Sequence, residues 1–393
     1  MDGVPGAADW RSGKAGSDAM TRRRWIETAL LASAWTRVRG ASLPREFVLG
    51  LYDLPKSDRP WEDAAEAGFN LARIRPLAED FEQCRQHKLH AWVPLGSDEK
   101  RIRAIVEQFR AHPSLLCWET EDEPAFVWEG RGPRIPPERL IATARFIRSL
   151  DPGHPLFLNH APVNLESTLR RYNPACDIVG VDIYPVVPSG IREMYALWPD
   201  GQQGDRLNTT ISQVGDYAQR MRRVAGPSRA VWMVLQAFAW ENLREKDRDT
   251  SRILYPSREQ FRSMAYQSVI HSANGLLFWG LASTPRDSPL WGDLKLVAQE
   301  VSSIASELSA VPLNIDIGLE YRENGHGVDR GIEWTARPAK DGMLLICCNA
   351  DRNPLDVELG GLSRFSRCDV AGFRDGVLAA SFAPFEAKVF HLL

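Results

Sequence analysis

From Glu46 onward, apolar runs of five to eight residues recur between longer amphipathic stretches. Eight runs can be counted: "FVLGLYDL" from Phe47, "FNLARIRPL" from Phe69, "LHAWVPLG" from Leu89, "LLCWETEDEP" from Leu115, "PLFLNHAP" from Pro155, "CDIVGVDIYPV" from Cys176, "AVWMVLQAFAW" from Ala230 and "GLLFWGL" from Gly275. Between them lie helical candidates such as "DEKRIRAIVEQFRAH", "PPERLIATARFIRSL", "VGDYAQRMRRVAG" and "SREQFRSMAYQSVIHSAN". Short apolar runs alternating with amphipathic segments predict parallel strands covered by helices. Eight such units in series predict a closed (β/α)8 TIM barrel. An open doubly wound sheet is the alternative, but no Gly-rich phosphate turn follows the first run. After "LKLVAQEVSSIASEL" the texture changes to short alternating runs, "GMLLICCNA", "LDVELGG" and "EAKVFHLL", broken by Gly, Asn, Asp and Pro. That pattern predicts a C-terminal antiparallel β-sandwich. The expected organisation is an N-terminal segment at 1–45, a barrel at 46–311 and a sandwich at 312–393.

In a barrel of this kind the functional groups stand at the C-terminal ends of the strands. The polar residues closing the runs are Arg73 and Arg75, then Glu119, Glu121, Asp122 and Glu123, then Asn159 and His160, Asp182 and Tyr184, Gln236, and Trp279. The knot of carboxylates in "WETEDEP" is the most unusual of these. Crowding of like charge raises the pKa of at least one carboxyl, which is what a general acid requires. Glu119 and Glu121 are expected to face solvent or to pair with arginines, and only one of Arg73 and Arg75 is expected to reach a site.

Here the residues carry a resemblance. "GFNLARIRP", Gly68 to Pro76, resembles the second-strand signature of the large clan of (β/α)8 glycoside hydrolases that includes cellulases, mannanases and β-galactosidases. "DEP", Asp122 to Pro124, resembles that clan's fourth-strand Asn-Glu-Pro. The resemblance implies a barrel glycosidase acting on a carbohydrate, with Arg73 in the site, Glu123 as general acid/base and Asp122 against a sugar hydroxyl. It also implies that Tyr184 and Trp279 line the sugar site and that the sandwich is a common appendage. Asn159 and His160 are further candidates for sugar hydroxyls, and Trp240, Trp279 and Trp291 for stacking on sugar faces.

Two positions depart from the clan: Asp122 stands where it has Asn, which adds a charge beside the acid, and the second departure is the more serious. The clan's seventh strand should end in a nucleophilic Glu, where this chain has Gln236, and an amide cannot form a glycosyl ester. Four readings follow. Asp182, in the same alternation phase as Gly180 and Tyr184, can serve as base or nucleophile; Glu241 can reach in from its loop; the substrate's own 2-acetamido group can attack while Gln236 orients it; or the site binds glycan on a decayed hydrolase barrel without cleaving it. A sugar isomerase or metal hydrolase would need His and carboxylate ligands at several strand ends, and only His160 qualifies. No metal or organic cofactor is implied.

Composition narrows the partners. The charged fraction is 25% and the net charge −3, so no basic field points to nucleic acid. No run reaches the length of a transmembrane helix, and a monomer is expected. The thirteen Trp exceed what sugar platforms need, so most are assigned to the core. The six Cys show no framework spacing and are expected to be free. "MTRRRWIETALLASAW", Met20 to Trp35, resembles a twin-arginine export signal, with Arg22 and Arg23 as the pair, "ASA" as the cleavage site and translation expected to start at Met20. Export to the periplasm or beyond is the expectation, with a basic tail on a cytoplasmic protein as the alternative.

Overall fold

The computed structural model describes residues 46–127, 132–188 and 208–393. The export-signal segment, and residues 189–207 of the insert after the sixth strand, lie outside the described residues. All eight apolar runs form strands: β1 (Val48–Leu51), β2 (Leu71–Arg73), β3 (His90–Pro94), β4 (Leu115–Glu119), β5 (Leu156–His160), β6 (Ile178–Ile183), β7 (Ala230–Gln236) and β8 (Gly275–Trp279). They pair in parallel and in sequence order, and β8 closes on β1. Helices α1 (Pro60–Glu66), α2 (Ala78–Gln86), α3 (Glu99–Phe109), α4 (Pro137–Leu150), α5 (Glu166–Arg170), α6 (Gln213–Ala225), α7 (Arg258–Ile270) and α8 (Leu290–Ser303) follow them, with a short α9 (Ala305–Ser309).

Helix α3 shows how the pattern becomes structure. Asp98 caps its start by accepting from the Arg101 amide at 2.7 Å, and Ile102, Ile105, Val106 and Phe109 fall on one buried face. Each such side chain removed from water contributes about 1.5–3 kcal/mol. The strands alternate in the same disciplined way. Val179, Val181 and Ile183 of β6 pack outward against the helices, while Ile178 belongs to the barrel interior with Leu71, Trp92, Phe157 and Trp232. Glycines make room for that interior: a Cβ on Gly180 would lie 2.7 Å from the Phe157 ring, and one on Gly275 2.7 Å from Trp232. The barrel is therefore a packed core whose top carries the polar groups.

The C-terminal strands are β9 (Leu319–Arg322), β10 (Ile332–Ala339), β11 (Gly342–Asn349), β12 (Leu355–Leu359), β13 (Phe373–Arg374), β14 (Val377–Phe382) and β15 (Ala387–Leu392). They form two antiparallel sheets, β10-β11-β15 and β13-β14-β12-β9. Strand β11 is buried on both faces. Met343, Leu345 and Cys347 face the other sheet, whereas Leu344, Ile346 and Cys348 join the barrel's outer core beside α7. Polar contacts complete that junction: Arg262 pairs with Glu300 at 2.9 Å and donates to the Ala387 carbonyl, and Gln267 donates to Glu333 at 2.9 Å. All six cysteines are free, five of them buried. Among the described residues no helix is long and apolar enough to cross a membrane.

Candidate active site

Two groups of side chains meet at the C-terminal mouth of the barrel. The deeper group is built around Arg73, the last residue of β2, which points inward in phase with Leu71. Its Nε donates to Glu119 Oε2 at 2.8 Å. Glu119 ends β4 and is 1% exposed. Burial pushes its carboxyl up to about 7, with Arg73 pulling against that rise. Tyr52, just past β1, sets its ring edge-on to Trp92 at 4.4 Å, and the guanidinium carbon of Arg73 lies 5.6 Å and 5.8 Å from the two ring centroids.

The outer group holds three carboxyls. Asn159, inward-facing near the end of β5, donates through Nδ2 to Asp122 Oδ1 at 3.1 Å and to Asp182 Oδ1 at 3.2 Å. The Glu123 amide donates to the Asn159 carbonyl at 3.1 Å, which fixes the loop after β4 to β5. Glu123 itself adopts φ +45°, a left-handed conformation uncommon for a residue with a side chain and found where surrounding contacts enforce it. Its carboxyl and that of Asp182 act directly on each other. Burial, and then the charge of Asp122, raise the Glu123 pKa, while Asp182 and Arg134, 3.7 Å away, lower it. Asp182 is raised well above the carboxylate range by burial and by its two acidic neighbours. The two titrate as a pair.

An aromatic wall stands beside this pair. Tyr184 and Trp279 stack at 5.3 Å with planes 24° apart, and Phe238 meets both edge-on. Trp240 donates from its indole to the Tyr184 carbonyl at 3.3 Å. Gly280 follows Trp279 at φ +110°, where a Cβ would come within 2.5 Å of Phe238. Arg73, Asp122, Glu123, Asn159, Asp182, Tyr184, Trp240 and Trp279 thus gather at one mouth. Among the described residues no group of three or more His, Cys, Asp or Glu is arranged to hold a metal ion.

Several sequence expectations are corrected. His160 does not face the mouth: one position past Asn159, it points outward, fully buried against Tyr172 with both ring nitrogens unpartnered, and burial pulls its pKa down to about 3. Gln236 is inaccessible and turned to the backbone. Its Oε1 accepts from the Val186 amide at 2.8 Å, and its Nε2 donates to the carbonyls of Val186 and Phe238, both at 3.0 Å. Such an amide locks the β6 and β7 loops together and has no donor left to orient an acetamido group. Glu241 is likewise buried in its own loop, accepting from the Asp249 amide at 2.5 Å. Trp291 stacks on Phe69 against the outer core at 6.1 Å. Arg75, as expected of one of the two arginines, stays out of the site: it falls past the end of β2 and pairs with Asp80. Glu119 pairs with an arginine as expected, but under cover rather than in solvent. Tyr52 and Trp92 were missed; the signal that would have found Tyr52 is its place at the end of the first apolar run.

No family model and no curated protein sequence matches the chain. Solved structures do. AmyP in complex with maltose superposes with a TM-score of 0.55 at 11% identity, covering 88% of this chain and 96% of that one. The α-amylase of Geobacillus thermoleovorans complexed with acarbose gives 0.53 at 10% identity, covering 90% and 99%. An Anoxybacillus α-amylase gives 0.51 at 8%, covering 88% and 98%. The likeness spans most of the chain, and the protein shares the (β/α)8 barrel fold of these amylases.

Proposed function

We propose that the protein is a glycoside hydrolase cleaving O-glycosidic bonds of a poly- or oligosaccharide, with Glu123 as general acid and Asp182 as the second catalytic group. The observation that carries this reading is the gathering of Glu123 with Asp122 and Asp182, the latter two bridged by Asn159, at the barrel mouth beside the stacked Tyr184 and Trp279. Trp279 and Tyr184 offer a face for the apolar side of a sugar ring, and Arg73, Asp122 and Asn159 offer partners for its hydroxyls. Glu123 gives its proton to the glycosidic oxygen as the bond from that oxygen to the anomeric carbon breaks, and the alcohol leaves with the proton. With the pair's shared proton carried by Glu123 and then by the leaving alcohol, Asp182 is left ionised and bonds to the anomeric carbon. Water, losing a proton to Glu123, then hydrolyses that ester and restores both groups.

Gln236 favours one second reading, a glycan-binding protein without turnover, because the end of β7 carries no carboxylate and its amide is engaged elsewhere. Reducing-sugar release from a panel of plant, bacterial and amino-sugar glycans, by wild type and by Glu123→Gln, separates the two. Release that falls by about 100-fold or more in the variant, the usual contribution of a general acid, is the expected result. Glycan binding by both proteins with release by neither would install the second reading.

A further inference from the structure

Glu119 ends β4 four residues before Glu123 and has no part in the steps above. Its side chain is 1% exposed while that of Arg73 is 35% exposed, so Arg73 is the nearer of the two to anything entering the mouth. One Glu119 oxygen is held by Arg73 Nε at 2.8 Å, and the Trp92 indole also acts on the carboxyl. Tyr52 and Trp92 close two further sides of the guanidinium. A guanidinium fixed through Nε presents its two terminal nitrogens as a rigid fork. Asp122 is close enough to act on Arg73 by charge, and Asp182 is bridged to Asp122 by Asn159. An unrestrained Arg73 would be drawn onto those carboxylates.

We propose that Glu119 is a positioning residue: it holds Arg73 in the orientation that donates to a sugar bound at Glu123 and Asp182, and keeps that cation from collapsing onto the acid pair. The proposal rests on the glycosidase reading. Glu119 acts through Arg73 and touches no substrate. The other charged and titratable groups facing the pair are Asp122, Arg134, Tyr52 and Tyr184, none of which the substitutions below alter.

The test compares wild type, Glu119→Gln, Arg73→Gln, the double variant and the charge-retaining Glu119→Asp, using whichever panel glycan the wild type cleaves. Glu119→Gln should lower kcat/KM by up to about 100-fold, as expected of a misplaced contact. It should also move the alkaline limb of the pH profile down by about one unit, because a cation nearer the pair favours its ionised form. The double variant should be no worse than Arg73→Gln, with that variant's pH limb, and Glu119→Asp should recover part of the activity. Additive losses in the double variant, or a lowered Tm with an unmoved pH limb, would overturn the proposal. So would glycosyl azide formation by Glu119→Ala in azide, which would make Glu119 the nucleophile. Should the wild type bind glycan without cleaving it, the glycosidase reading alone fails. Calorimetric titration then decides the positioning: equal loss of affinity in both single variants and the double supports it, and independent losses overturn it. A wild type that neither cleaves nor binds any glycan overturns both.

Discussion

Glu119 and Glu123 are the same residue type, on the same strand end, four positions apart. One is sealed in against a guanidinium, and the other sits at the surface of the mouth beside two more carboxyls. Burial lifts both pKa values, but their neighbours differ in sign. Arg73 opposes the rise in Glu119 and favours its charged form, whereas Asp122 adds to the rise in Glu123. The first arrangement makes an anchor for a cation; the second makes a proton source. What decides the role is the partner brought in from another strand, and neither partner is near in sequence: Arg73 comes from β2 and Asp182 from β6.

Three changes probe this contrast. The largest effect is expected from Asp182→Asn, which removes the acidic partner while keeping its shape. Turnover should fall by about 100-fold or more, and the Glu123 pKa, which Asp182 lowers while burial and Asp122 raise it, should move further up, read as an upward shift in the pH limb of the residual activity. Retained activity with an unmoved limb would detach Asp182 from the chemistry. Next is Gln236→Glu, which puts the clan's usual residue on β7. A carboxylate there would face the carbonyls of Val186 and Phe238 that the amide now satisfies, so a loss of about 1–3 kcal/mol or more is expected in denaturant unfolding, without a gain in turnover. A large gain would instead mark β7 as the place from which a nucleophile was lost.

The smallest effect concerns the pH dependence of stability. Glu119 is raised from 4.5 to about 7 in the folded state, so its contribution is fully present below about pH 4.5 and is lost as pH rises through 7. Across that window the wild type should lose up to about 3 kcal/mol relative to Glu119→Gln. Unfolding at pH 5 and at pH 8 measures the difference. A gap that does not change between the two would mean that Arg73 keeps Glu119 ionised throughout.

The barrel was legible because each of its eight strands is short, apolar and followed by an amphipathic helix, so local pattern and global fold agree. Strand-end logic also found Arg73, Glu123, Asn159 and Asp182. It failed where one step of alternation matters: His160 adjoins Asn159 in sequence and faces the opposite way. It failed again at Gln236, whose partners Val186 and Phe238 lie in loops with no periodicity to read. The burial of Glu119 depends on Arg73 46 residues away, and nothing in either segment alone announces the pairing.

The two-sided burial of β11 sets the terms on which this chain can be divided. Leu344, Ile346 and Cys348 insulate the flank of α7, so the sandwich is not a tail that can be trimmed or exchanged for another module. Cutting the chain after α9 would bare an apolar stripe on the barrel itself, and a truncated barrel should be recovered as aggregate. An insertion or fusion aimed at the outer sheet, β13-β14-β12-β9, leaves that seam intact, and it is there that the architecture can accept new parts.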